Sequence, residues 1–371
     1  MLALNSNKTL KVAIVGGSNS VMRYGYSHYF QKYINSRTGA DVELASFSLG
    51  GVTSLYGLIQ NCRHEIAKNH DLILFEYCVN DRSACYQKKI SQEIAGMALE
   101  GFIRQSKTMN PMCNIAILIF GTNRPKYYNF CCNVSAVYES VARRYNIPVI
   151  NLTEILLAGK GINFIKGLYG KDDPNHYSRP EGVEVVGKTI AEQILQSKLL
   201  ENKKAESERY YRVYAENLQD LKFVSNFDSY VENHNAKKTI FKNSLFHETI
   251  YTFDANSPLK FELKGQLLSL LIKSDWYSGL LKIEFEDIEF ITSFFSIYVK
   301  NAEKSNITLL NLPYNKIANR QEFKQLSISV CSNYIDKHHL DFNKVSPESN
   351  PDEWKLNLIG IAYTGELKSL V

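Results

Sequence analysis

Apolar and polar positions in the first half of the chain follow two alternating rhythms. Short apolar runs rich in β-branched residues, "KVAIVGG", "DVELASFS", "DLILFEY", "NIAILIFG" and "IPVINL", read as buried parallel strands. Between them apolar residues recur at helical spacing, which predicts helices over residues 21–36, 54–68, 90–107, 134–145 and 181–200. Strands alternating with helices predict a three-layer α/β/α domain with a parallel sheet over residues 1–200. Ligands gather at the carboxyl ends of strands in such sheets. Three polar or glycine-bearing segments fall there: Ser18 after the first strand, Gly50 and Gly51 after the second, Asn80 and Asp81 after the third.

The rhythm changes near residue 200. The charged stretch "ENKKAESERYYRVYAENLQDL" reads as a linking helix over residues 201–222. Beyond it "KTIFKN", "ETIYTFD", "LKFELKG", "LLSLLIKS", "LLKIEFED", "FFSIYVKN", "ITLLNL", "FKQLSISVCS" and "WKLNLIGIAYTG" are short strand-like runs separated by Asn, Asp, Gly, Ser or Pro. They predict an all-β, sandwich-like domain over residues 223–371. Carbohydrate binding and oligomerisation are both open roles for it.

The junction "AIVGGSNS" poses the chemical question. Gly16 and Gly17 relax the backbone where the first strand stops. Ser18 is there either a helix cap or a hydroxyl beside backbone N–H groups that favour developing negative charge.

Composition narrows the classes. A chain of 371 residues with 44% hydrophobic and 22% charged residues is globular and long enough for two domains. Its formal charge of +5 falls short of a nucleic-acid signature. The 23 tyrosines suit packing of a β domain, and sugar-binding surfaces as well. The seven cysteines form no regular framework and no zinc spacing, so no metal site is expected and a reducing compartment is. Cys131 and Cys132 are adjacent, as are His338 and His339, without co-ligands at metal spacing. The start of the chain lacks a basic region followed by a long apolar one, and "IAILIF" and "LLSLLI" are too short to span a bilayer. The expectation is a cytoplasmic protein with no membrane span.

Near the end of the first half, "YGKDDPNHYSRPEG" places Asp173 and His176 three residues apart in a polar loop before a helix. Pro174 discourages helix over this turn. The spacing lets the carboxylate fold back on the imidazole Nδ1–H and fix its tautomer. Asp172 competes for that place, and the three-residue spacing favours Asp173. Taken alone, the loop also reads as a turn with a helix cap.

Four blocks in order resemble the SGNH hydrolases, the GDSL esterase/lipase superfamily: "GGSNS", "SLGGVTS", "CVND" and "DPNH". The resemblance covers residues 11–195. It implies Ser18 as nucleophile, His176 as general base and Asp173 as its partner. It implies an oxyanion hole from the N–H groups of Ser18 and Gly51 and the Asn80 side chain. Gly51 is chosen over Gly50. Two positions depart from the family pattern. The usual aspartate before the serine is Gly17, which deletes a carboxylate beside the nucleophile. The glycine of GxND is Cys78, which adds bulk at the third strand's end. Arg23, Arg82 and Arg179 lie near the blocks and could hold substrate; surface pairing is the plainer reading. The implied chemistry is acyl-ester transfer on a carbohydrate, either O-acetyl removal or O-acetyl transfer with acetyl-CoA as donor. No CoA motif is visible. The alternative is a catalytically decayed fold that binds glycan.

Overall fold

The computed structural model describes residues 9–124, 133–197, 199–200, 211–229, 236–285, 288–313, 321–335 and 349–369. The run "KVAIVGG" forms strand β1 (Leu10–Gly16), with Val12, Ala13 and Val15 fully buried. The chain continues through α1 (Ser18–Val21), α2 (Tyr26–Thr38), β2 (Val42–Ser46), α3 (Ser54–His64), α4 (Ile66–Asn69), β3 (Leu72–Glu76), α5 (Cys78–Tyr86) and α6 (Gln92–Met109). There follow β4 (Asn114–Ile119), α7 (Asn133–Arg144), β5 (Val149–Asn151), α8 (Leu152–Lys160) and α9 (Ile162–Gly167). A short antiparallel ladder of β6 (Tyr169–Gly170) and β7 (Asp173–Tyr177) leads into α10 (Glu181–Gln196).

Strands β1 to β5 make one parallel sheet in the order β2-β1-β3-β4-β5. Successive strand residues face opposite helical layers. Val12, Ile14 and Leu74 share a core with Tyr26 and Phe30 of α2 and Val186 and Ile190 of α10. Phe75, the next residue, meets Phe102 of α6 at 4.6 Å between ring centroids. Each fully buried side chain of this size stabilises by about 1.5–3 kcal/mol. The chain leaves β1 for β2 on one side and β3 on the other, so the crevice between β1 and β3 is the topological switch point.

The structure corrects several local expectations. The helix expected over 21–36 starts earlier, at Ser18, and is interrupted at 22–25, where Tyr24 takes a φ of 54°. The helix over 54–68 breaks at Glu65, φ 46°. Asn80 and Asp81 stand in α5, whose mostly polar sequence carries no helical periodicity. "DPNH" forms β7 and not a free loop.

Contacts divide the chain into two compact units, Met1–Gln87 with Ser91–Gln219, and Asp220–Val371 with Lys88–Ile90. The linking helix expected over 201–222 lies outside the described residues up to 210. From Tyr211 onward the chain runs as turns, a 3-10 turn Leu218–Asp220 and strand β8 (Lys222–Val224), in place of that helix. The reason is local: the Glu100 carboxylate takes the N–H groups of Val213 and Tyr214 at 2.7 and 2.8 Å, and the Asn217 side chain takes that of Gln219 at 3.0 Å. A helix would need those donors.

The second unit adds β9 (Lys237–Lys242), β10 (His247–Phe253), β11 (Leu259–Ser274), β12 (Leu280–Phe285), β13 (Ile288–Ser293), β14 (Asn306–Asn311), β15 (Lys324–Val330) and β16 (Leu356–Ser369). With β8 they form one nine-stranded sheet whose strand pairings are antiparallel. The runs "LKFELKG" and "LLSLLIKS" fuse into the single strand β11 across Gly265 (φ 133°), which pairs with Gly365 (φ 87°). One half of β11 pairs with β15 and the other with β14. Phe261 and Leu263 from one half share a core with Leu270 and Ile272 from the other. "FFSIYVKN" is not a strand; β13 precedes it, and the Val299 N–H closes a turn on the Ser296 carbonyl at 2.9 Å. Cys131, Cys132, His338 and His339 lie outside the described residues. Among the described residues no helix is long and apolar enough to cross a membrane.

Candidate active site

The two glycines after β1 are required by what stands beside them. A methyl group on Gly16 would lie 2.3 Å from Ser20 Oγ and 2.9 Å from the Glu76 carbonyl. One on Gly17 would lie 2.5–2.8 Å from the Asn80 amide group. The glycines therefore admit side chains from α1 and α5 to the strand end, and Ser18 opens α1 immediately after them.

Ser18 Oγ lies 2.7 Å from His176 Nε2. On the other side of the ring, His176 Nδ1 lies 2.7 Å from Asp173 Oδ2. Asp173 Oδ1 also accepts the N–H groups of Asn175 and His176, at 3.0 and 3.2 Å. Partial burial works against the Asp173 charge, but the hydrogen bonds from His176 and Asn175 outweigh it and hold the carboxyl below its usual range. An ionised Asp173 accepts Nδ1–H, which leaves Nε2 to accept the Ser18 proton. This is the geometry required of a nucleophile, a base and an orienting acid.

Distant segments hold β7 in place. Asn19, 3% exposed, donates from Nδ2 to the Asn175 carbonyl at 3.1 Å and accepts the Tyr177 N–H at 3.4 Å. The Asn123 N–H donates to the Pro174 carbonyl at 2.7 Å. Tyr177 is buried and stacks on Tyr169 at 4.8 Å between centroids.

On the β2 side, the Leu49 N–H donates to the Gly16 carbonyl at 3.0 Å, and Ser48 Oγ accepts the Gly16 N–H at 3.0 Å. Gly50 lies against Ser18: a methyl there would sit 3.4 Å from Ser18 Cβ. Gly51 follows with φ 76°. Asn80 donates one amide N–H to the Val52 carbonyl at 2.8 Å, so the glycine loop and α5 are joined at the point where Asn80 abuts Gly17. A side-chain amide carries two N–H groups. The bond to Val52 uses one of them.

Buried carboxyls underlie this wall. Asp81 accepts the Ser54 N–H at 2.8 Å and the Tyr138 hydroxyl at 2.7 Å, and burial raises it to about 6. Glu76 accepts the Gly17 N–H at 3.2 Å and the Ser20 hydroxyl at 3.0 Å. Asn19, Glu76 and Asn123 escaped the sequence reading because each is a single polar residue whose partners are remote in sequence. Cys78 is buried, with Sγ 3.3 Å from Ser135 Oγ of α7.

The three arginines differ. Arg82 donates to Thr122 Oγ1 at 2.9 Å. Arg23 is exposed and lies over the Tyr24 ring at 5.1 Å, and the exposed Arg179 donates to the Arg23 carbonyl at 3.4 Å.

No protein-family model and no curated protein matches the sequence. Solved structures do match. A two-domain esterase active on acetylated mannans is 14% identical with a TM-score of 0.65, over 96% of this chain and 92% of that one. A second structure of such an esterase, co-crystallised with mannopentaose, gives 14% identity and a TM-score of 0.63 over 96% and 91%. An acetyl xylan esterase matches 51% of this chain and 99% of its own at 17% identity and a TM-score of 0.41. A likeness through both units at this identity is one of fold: a parallel α/β unit followed by an antiparallel β unit.

Proposed function

We propose that this protein is a serine-dependent carboxylic-ester hydrolase that removes O-acetyl groups from a carbohydrate. The observation that carries the reading is the unbroken chain Ser18 Oγ to His176 Nε2 and His176 Nδ1 to Asp173 Oδ2, 2.7 Å at each link. In this reading His176 takes the Ser18 proton as Oγ attacks the ester carbonyl. The N–H groups of Ser18 and Gly51 and the second amide N–H of Asn80 receive the oxyanion; one such donor is worth about 10²–10³ in rate. The tetrahedral adduct collapses, the bond between the acyl carbon and the sugar oxygen breaks, and His176 gives its proton to that oxygen, which leaves as the sugar hydroxyl. A water then gives a proton to His176 and attacks the acyl carbon; the second adduct breaks its bond to Ser18 Oγ, His176 returns the proton to Oγ, and acetate leaves. Asp173 keeps the ring oriented and stays ionised.

The carbohydrate assignment is supported by the fold likeness through both units to an esterase active on acetylated mannans. The side chains of His176 and Asp173 are 31% and 50% exposed, which admits water to the acyl-enzyme. We assign substrate contact at the rim to Arg23 and Arg179, and a bracing role to Arg82.

Acetate release from acetylated manno-oligosaccharides tests the proposal. The wild-type protein is expected to release acetate and to react at Ser18 with a fluorophosphonate, and Ser18→Ala to do neither. Full activity in Ser18→Ala overturns the assignment. CoA release from acetyl-CoA that depends on added glycan would make the protein a transferase. Glycan binding without turnover or labelling would make it a binding module.

A further inference from the structure

A carboxyl that this acyl chemistry does not use lies beside the nucleophile. Glu76 ends β3 and is 1% exposed. Its Oε2 accepts the Gly17 N–H at 3.2 Å and the Ser20 hydroxyl at 3.0 Å. The Tyr26 hydroxyl stands 3.0 Å from Ser20 Oγ. Because the Ser20 proton goes to Glu76, Tyr26 is the donor in that contact. The Gly17 N–H is shared between the Glu76 backbone carbonyl at 2.9 Å and Oε2, so the side chain adds to a main-chain tie just before Ser18, holds the helical turn just after it through Ser20, and reaches α2 through Tyr26.

The remaining oxygen decides the charge. Glu76 Oε1 is buried and has no hydrogen-bond partner among the described residues. A carboxylate with a bare buried oxygen is costly, and a neutral acid much less so. The titratable groups facing Glu76 are Tyr26 from α2, Tyr77 next to it in the chain and Asp81 from α5. None of these is a cation. Burial raises Glu76, the bonds from Ser20 and Gly17 oppose that, and the Asp81 charge adds to the rise, which leaves it at about 8.

Resting on the esterase reading above, we infer that Glu76 is a positioning residue: as a neutral acid it holds Gly17 and Ser20 around Ser18, and as an anion it opposes the oxyanion forming at the neighbouring N–H, so that its deprotonation draws the alkaline limb of activity. An interior negative charge acts strongly at short range because little water screens it.

The test is the rate of Ser18 labelling by a fluorophosphonate against pH, with infrared spectra of the same samples. In the wild type the rate is expected to fall about tenfold between about pH 7 and about pH 9.5. Glu76→Gln, a neutral isostere, is expected to lose that limb. Ser20→Ala removes a donor that favours the anion and is expected to move the limb to higher pH, which keeps the inference testable should Glu76→Gln fail to fold. A protonated-carboxyl stretch present near neutral pH is expected to vanish at the alkaline end, and to be missing from Glu76→Gln. An unchanged limb in the variants, or no such band, overturns the inference. A wild-type protein that is never labelled overturns the esterase reading instead, and the infrared band then still decides whether Glu76 is held neutral.

Discussion

Asn19 holds the strand that carries His176: its Nδ2 donates to the Asn175 carbonyl at 3.1 Å, across 156 positions of sequence, and its Oδ1 accepts the Tyr177 N–H at 3.4 Å. The residue after Ser18 therefore ties down both neighbours of His176. Asn19→Ala is expected to lower kcat by about 10–100-fold with KM little changed, because a small misplacement of a base is costly. It removes the Asn19 partner of the part-buried Asn175 carbonyl and of the Tyr177 N–H, a loss of about 1–3 kcal/mol. Steady-state kinetics on a nitrophenyl acetate and thermal unfolding measure the two effects. An unchanged kcat would show that the other ties to β7 suffice.

Gly17→Ala is expected to lower kcat by about 10²-fold or more through loss of an oxyanion donor. The added methyl would stand 2.5 Å from Asn80 Oδ1, so Asn80 must move. Gly159→Ala, at a position with nothing within 4 Å, is the control and is expected to be silent. Equal kinetics for the two variants would remove Asn80 from the oxyanion assignment.

The four blocks were legible because each occupies a strand end or a tight turn, where residue type and position go together. Gly17 shows the limit of that reading. From sequence it looks like a lost carboxylate; in the fold it gives Asn80 its space, and Glu76 of β3 brings a carboxyl group to the Gly17 N–H from 59 positions away. The roles of Glu76 and Asn19 depend on burial by elements remote in sequence, which no local pattern records. The helix expected over 201–222 fails in its described part for the same reason, since Glu100 on α6 takes the N–H groups of Val213 and Tyr214. In the second unit several strands were legible from alternation, but β13 escapes that reading and "FFSIYVKN" is strand-like in sequence without forming a strand. The fusion of two runs into β11 was not legible either, because a glycine reads as a break until its partner Gly365 is known.

Asp81 predicts a pH dependence of stability. Burial raises its carboxyl from 3.8 to about 6, against the hydrogen bonds from Ser54 and Tyr138. The folded state thus binds this proton more tightly than the unfolded state. The contribution is most favourable below about pH 4 and is lost as pH rises to about 6, a change of order 2–3 kcal/mol. Asp81→Asn keeps an acceptor for the Ser54 N–H and does not titrate. Thermal melts at acid and neutral pH should show the variant gaining on the wild type as pH rises. A constant difference would contradict the assignment.

Asp173→Asn is expected to lower kcat by about 10²–10⁴-fold, because the amide can present N–H to Nδ1 and reverse the tautomer. The lower end is expected, since Asp173 is half exposed and water can stand in for it. Asp173 is held below its usual range, so its ionisation protects folding above the unfolded value and that protection is lost as pH falls through the folded one. Activity lost at mildly acid pH therefore belongs to another group. An acid limb that disappears in Asp173→Asn would reverse that statement.

Glu100 gives a prediction about the fold with the chemistry left intact. It is fully buried on α6 and accepts the N–H groups of Val213 and Tyr214 and the hydroxyl of Tyr145, which Arg104 also meets at 3.0 Å. Tyr214 and the backbone at Leu218 lie against Gly96 and Gly101 on the same helix. Glu100→Ala removes the acceptor of the Val213 and Tyr214 N–H groups and is expected to cost about 2–4 kcal/mol. The segment from Tyr211 to Gln219 should then become the first site of limited proteolysis. The Ser18 labelling rate of the folded fraction should stay unchanged, since no catalytic group touches Glu100. Slower labelling at full folding would mean that α6 transmits strain to β3 and the nucleophile beyond it.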